Sequence, residues 1–247
     1  MPSTIQARQQ FKDLPTKGPV VMYQRWEDLL FLHWEVEPTF IQSTLPEGLS
    51  VDTFNGKAYV GIVPFFMRGI RPRFLPAVPG ISNFQELNVR TYVTDRNGIP
   101  GVWFYSLDAN SPLAVWVART FFHLPYFHSK MSAQRGEKVF YESKRLGAVE
   151  ASVFAYHRLG EPKEPAPESL ESFLVDRYLL YSWNPRKKRL YRGRVWHTPY
   201  QIQPATVEQW DDRPWQLDGF PSFGRPPDHI CMSADLKVRI YPIEWVL

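Results

Sequence analysis

The sequence predicts a β-rich α+β domain with a few short helices, and three observations carry that prediction. Pro supplies 23 of the 247 residues, and because Pro breaks helix interiors the chain favours short elements joined by many turns. Two Asn-Gly pairs, Asn55-Gly56 and Asn97-Gly98, offer the positive φ values that a tight hairpin turn demands. Strand-like runs such as KAYVGIVPFF, FQELNVRTYV and LKVRIYPIEWV recur along the chain. With 44% hydrophobic and 15% aromatic residues, there is enough apolar surface for a sizeable core.

Taken in order, residues 1–20 read as an N-terminal extension. Asn55-Gly56 is expected to join LSVDTF to KAYVGIVPFFM as one hairpin, and Asn97-Gly98 to join LNVRTYVTD to VWFYSL as another. Both faces of KAYVGIVPFF are apolar, which predicts a central strand covered on either side. Ser111 is placed to cap a helix that opens on Pro112, where a missing N–H is harmless, and that Pro125 ends. Shorter helices are expected from Pro38 to Ser43 and from Glu168 to Asp176. The segment EPKEPAPE, 161–168, reads as a proline-rich charged loop within one domain spanning 1–247. RYLLYSW and RLYRGRVWH read as strands joined by a turn at Asn184-Pro185.

Several function classes lack their sequence signals. No phosphate-binding glycine loop, G-x-S-x-G elbow, H-E-x-x-H or paired-cysteine pattern is present, so neither a metal nor a cofactor is expected. His123 and His128 stand five residues apart across a helix-ending Pro, which is no recognised ligand spacing. Cys231 has no second thiol to pair with, which fits a reduced compartment, and it reads as a small buried hydrophobe. The N-terminal MPSTIQARQQF lacks a signal-peptide core, and no run of about 18 apolar residues occurs. The cytoplasm is therefore the expected location, with no membrane partner. Basic residues number 29 against 25 acidic ones, but Arg186, Lys187, Lys188, Arg189, Arg192 and Arg194 form one local run. That run reads as a solvated hairpin tip, and no binding module accompanies it, which argues against nucleic acid.

Candidate site residues come from two strands. Alternation in FQELNVRTYV sets Glu86, Asn88, Arg90 and Tyr92 on one face and Leu87, Val89, Thr91 and Val93 on the other. Two readings stay open: a half-exposed strand with a weak surface pair, or a polar face lining a closed barrel. In PYFHSKM an extended chain sets Tyr126, His128 and Lys130 on one face. His128 offers an acid or base, and Lys130 an imine former if desolvated.

The segments RWEDLLFLHWEV, LPEGLSVDTFNGKAYVGIVPFFMRGIRP, FQELNVRTYV, GVWFYSLDANSPLAVWVART and LPYFHSKM resemble the YqjF-like family of uncharacterised bacterial proteins (domain of unknown function 2071). The resemblance is densest from Arg25 to Met131 and continues through SFLVDRYLLYS and YRGRVWHTPYQIQPA. That family is similar in turn to the acetoacetate decarboxylase-like superfamily. The resemblance implies a curved antiparallel sheet closed into a barrel around a cavity, with short helices outside. It also implies an active-site Glu, for which Glu86 is the counterpart, and a Pro-Lys-Lys sequence on the strand after a helix. Here Pro125 is followed by Tyr126 and Phe127, so the Schiff-base lysine of the decarboxylase has no equivalent at that position.

The expected function is thus binding of a small organic acid or carbonyl compound in the barrel, with ligand contacts from Glu86, Asn88, Arg90, Tyr126 and His128. The alternative is a lyase-type enzyme with Glu86, His128 or Lys130 as catalytic group. A third reading, an interaction protein, rests on the basic tip, and homo-oligomer formation stays open. Glu86 and Arg90 are expected within hydrogen-bonding or one-water distance, since a buried Glu86 without a donor would be protonated.

Overall fold

In the computed structural model, which describes residues 2–15 and 18–246, pairing of strands organises most of the chain. The N-terminal segment forms α1 (Ile5–Gln9), followed by β1 (Met22–Glu27), β2 (Leu29–Val36), α2 (Pro38–Thr44), β3 (Leu49–Val51) and the long β4 (Ala58–Pro72). Next come β5 (Phe84–Asp95), β6 (Pro100–Ala109), α3 (Pro112–Phe121), β7 (Tyr126–Gln134), β8 (Val139–Arg145) and β9 (Ser152–Arg158). The remainder holds α4 (Leu170–Val175), β10 (Leu179–Asn184), β11 (Arg189–His197), β12 (Ile202–Gln203), β13 (Ala205–Gln209), α5 (Arg213–Leu217), β14 (His229–Ser233) and β15 (Leu236–Trp245). Helices are few and short, as the proline content requires.

Seven strands pair in a closed cycle, β4 to β1 to β15 to β11 to β10 to β6 to β5 and back to β4. The antiparallel expectation holds for six of these pairings, whereas β10 lies parallel to β6. β7 also begins parallel to β6, because α3 carries the chain back across the sheet as a crossover connection. Ser111 Oγ accepts from the Ala114 amide, 3.3 Å away, and so caps α3.

A second layer, β7, β8, β9 and β13, covers the outside of the ring. Val60, Ile62, Leu87 and Val89 from β4 and β5 share one apolar cluster with Tyr141, Phe154 and Tyr156 from β8 and β9. The opposite faces of β4 and β5 point into the ring, where Val63, Phe65 and Met67 meet Leu107 and the helices α3 and α4. Both faces of β4 are therefore buried from Ala58 to Met67, as its sequence predicts. The same cover removes the half-exposed reading of β5, whose strand is buried throughout apart from partly exposed Gln85.

The turns differ from the sequence reading in detail. Asn55 and Gly56 both take positive φ (50° and 80°), giving the expected two-residue turn closed by reciprocal Phe54–Lys57 backbone bonds. The strand before it nevertheless pairs with β5 and not with β4; the Asp52 amide extends that pairing by donating to the Tyr92 carbonyl, and its carboxylate accepts from Arg177. At Asn97-Gly98 only Gly98 has positive φ, 73°. The Gly98 amide bonds the Asp95 carbonyl at 2.9 Å and Asp95 Oδ1 accepts the Asn97 and Ile99 amides, so the carboxylate helps hold the turn.

Candidate functional site

Alternation along β5 sends Glu86, Asn88 and Arg90 into the ring, where they line a cavity of about 460 Å³. The wall is otherwise mostly apolar, with Val63, Phe65 and Leu107 from the sheet and Ala114, Val117 and Ala118 from one face of α3. Its mouth is framed by Leu75, Val78 and Ile81, between β4 and β5, and by Leu113 of α3; all four are exposed. β5 enters beside this mouth, and the seven-residue run from Phe84 to Arg90 carries it roughly 20 Å inward. The inner end is closed by α4 and the residues after it, which contribute Arg177 and the Leu174 carbonyl, and by Tyr200.

Glu86 is 2% exposed, and the only hydrogen-bond partner of its carboxyl among the described residues is Tyr126, whose hydroxyl donates to Oε2 at 2.8 Å. Burial pushes the Glu86 carboxyl up to about 8; the Tyr126 hydrogen bond opposes this and nearby Asp108 adds to it. Burial likewise holds the Tyr126 phenol well above its ordinary range. At neutral pH the pair is a carboxylic acid beside a phenol, both neutral.

Arg90 is the opposite case. It forms no ion pair among the described residues; Nη2 donates to the Leu174 carbonyl at 3.0 Å and more loosely to Tyr92 Oη at 3.4 Å, and Nε has no partner. A guanidinium does not lose its proton in a protein, so the inner end of the cavity holds a buried positive charge. The expected contact with Glu86 is absent, because four residues of extended chain set the two about 14 Å apart along the strand. Asn88 stands between them, with Oδ1 buried and unpartnered.

Tyr92, which accepts from Arg90, is itself held by a histidine far away in the sequence. His33 Nε2 lies 2.7 Å from Tyr92 Oη, and its Nδ1 is 3.2 Å from His229 Nδ1. Burial, His229 and Arg90 together drive His33 far below its usual range, so it is neutral. Arg177 pairs with Asp52 at 2.7 Å through Nη1, leaving Nη2 unpartnered. The signal for His33 was a polar residue inside the otherwise apolar run LLFLHW; for Arg177 no local pattern existed.

His128 and Lys130 do not join the site. They share a strand face with Tyr126, as alternation requires, but β7 leaves β6 after His128 to pair with β8, and beyond Tyr126 that face meets solvent. Among the described residues that line the cavity there is no lysine. Cys231 is buried, which pushes its thiol up to about 12. Arg186 to Arg189 are exposed at the β10–β11 turn.

The arrangement matches known proteins at two levels. The DUF2071 family, described as an uncharacterized conserved protein, matches residues 23–237. The chain belongs to this family. It is 42% identical over 193 residues to the uncharacterized protein YqjF of Bacillus subtilis (strain 168), covering 77% of this chain and 78% of that one. Among solved structures, it is similar to the enduracididine biosynthesis enzyme MppR complexed with the condensation product of pyruvate and imidazole 4-carboxaldehyde. That match has a TM-score of 0.64 at 12% identity and covers 93% of this chain and 90% of the other. It is also similar to acetoacetate decarboxylase from Legionella pneumophila subsp. pneumophila str. Philadelphia 1, with a TM-score of 0.62 at 12% identity over 97% and 94% of the two chains. This DUF2071 member thus has an acetoacetate decarboxylase-like fold. Among its described residues no helix is long and apolar enough to cross a membrane, and no group of three or more His, Cys, Asp or Glu is arranged to hold a metal ion.

Proposed function

We propose that this DUF2071 protein binds a small organic acid, in particular one that also carries a carbonyl or hydroxyl oxygen, in the cavity of its strand ring. The observation that carries this reading is Arg90, a buried cation with no anionic partner among the described residues, at the end of a mostly apolar cavity. Burying such a charge without a counter-ion is expensive, and a ligand carboxylate supplies the missing charge together with a charge-assisted hydrogen bond. Nearer the mouth, the neutral Glu86 carboxyl donates to a ligand oxygen while Tyr126 holds it in place, and Asn88 Oδ1 accepts from a ligand hydroxyl. MppR, with a condensation product of pyruvate bound in a protein of the same fold, is consistent with an acid ligand.

A lyase-type activity is the second reading, favoured by Glu86 itself: a carboxyl with a pKa of about 8 is suited to general acid and base work at neutral pH. It would proceed without an imine at the Tyr126 position. The test is thermal unfolding with a panel of 2-keto, 3-keto and hydroxy acids, read in the wild type and in Arg90→Met. Binding raises the melting temperature by mass action, in the wild type and not in the variant. A panel that stabilises neither, or both equally, would remove the reading.

A further inference from the structure

The dimensions of the cavity say more about its ligand than the polar groups do. At about 30 Å³ for each water-sized group, 460 Å³ holds roughly fifteen heavy atoms. A three- or four-carbon keto acid fills less than half of that. The polar groups are also unevenly spread: Arg90 and the free Nη2 of Arg177 lie at the inner end, whereas Val63, Phe65, Leu107, Val117 and Ala118 surround the space beyond. The apolar wall continues out to Leu75, Val78, Ile81 and Leu113, whose side chains remain exposed. A short acid seated on Arg90 would leave this wall facing water.

We infer that the ligand is a medium-chain monocarboxylic acid, on the order of ten carbons, bound with its carboxylate on Arg90 and its chain running toward the mouth. The inference rests on the acid-binding reading above and adds the chain. One carboxylate is specified because Arg90 is the one cavity cation without an acidic partner among the described residues; Arg177 already has Asp52. A second carboxylate would lie against apolar side chains or beside the neutral Glu86, where it has no counter-ion. An alkyl or aryl body meets mostly apolar surface, with Asn88 and Glu86 the polar groups on the β5 side of its path.

The experiment is isothermal titration of the wild type with butanoate, hexanoate, octanoate, decanoate, dodecanoate and hexadecanoate, and with 1-decanol and acetoacetate as controls. Each added CH₂ should tighten binding about fourfold while it is taken from water into the cavity, with the gain ending near decanoate or dodecanoate as the tail reaches solvent. Arg90→Met should weaken decanoate roughly 10- to 100-fold through loss of a charge-assisted hydrogen bond, and leave 1-decanol little changed. Val117→Trp, on α3 at the outer part of the wall, should weaken decanoate at least about tenfold by filling space and weaken butanoate far less. If acetoacetate or butanoate binds as tightly as decanoate and still depends on Arg90, the chain-length inference falls and the acid-binding reading stands. If affinity follows chain length but ignores Arg90, or decanol equals decanoate, the carboxylate assignment falls with the reading it rests on.

Discussion

Replacing Glu86 by Gln should change how stability depends on pH. In the unfolded chain Glu86 ionises near its ordinary 4.5, whereas in the fold its pKa is about 8 because of burial. The native state therefore holds a proton that the unfolded state has released between these values. The sign follows: the stability contributed by the neutral, Tyr126-bonded carboxyl is fully present below pH 4.5 and is lost as pH rises through 8. With about 1.4 kcal/mol for each unit of difference, the loss approaches 5 kcal/mol, an upper figure because water entering the cavity solvates the anion. Glu86→Gln keeps a neutral oxygen to accept from the Tyr126 hydroxyl and has nothing to ionise. Urea unfolding of both proteins from pH 5 to pH 9 should show similar stability near pH 5 and a growing advantage for the Gln variant toward pH 8 to 9. Parallel curves for the two proteins across that range would refute the assignment of a raised Glu86 pKa.

Two further substitutions probe how the site is held. Asp52→Ala strips Arg177 of its ion-pair partner in a place where both side chains are within 1% of full burial, so denaturant unfolding should show a loss of about 3–5 kcal/mol; a loss below about 1 kcal/mol would mean the pair is not buried as described. Gly101→Ala would set a Cβ 2.7 Å from the Tyr181 ring and 2.8 Å from the Leu179 carbonyl, forcing β6 off β10 at the one parallel pairing of the ring. A loss of about 1–3 kcal/mol is expected, with the Leu180 and Tyr181 amides exchanging hydrogen faster, and unchanged exchange there would refute the close approach.

Local chemistry was legible in the sequence wherever a residue acts on its immediate neighbours. Ser111 and Pro112 begin α3 because a cap and a fixed φ operate within one turn, and the two Asn-Gly pairs reverse the chain where they stand. Family resemblance in the quoted segments also carried the fold. The alternation in FQELNVRTYV fixed that Glu86, Asn88 and Arg90 share a face.

What that face looks at was decided by tertiary structure. Period two says which side chains are together and nothing about what covers them, so a half-exposed strand and a cavity wall read alike until the β7–β9 layer covers Leu87 and Val89. The same limit explains Tyr126, His128 and Lys130, which share one strand face but not one environment, because β7 changes partners between them. Glu86 and Arg90 were joined as a pair by their charges, yet extended chain holds them apart. Tyr126 became the partner of Glu86 because the parallel crossover through α3 brings β7 beside β6, 40 residues along the chain. Arg177 and His33 reach the site from still more distant segments. Distance in space between residues far apart in sequence is set by strand pairing around the closed ring, and no local pattern of side chains encodes it.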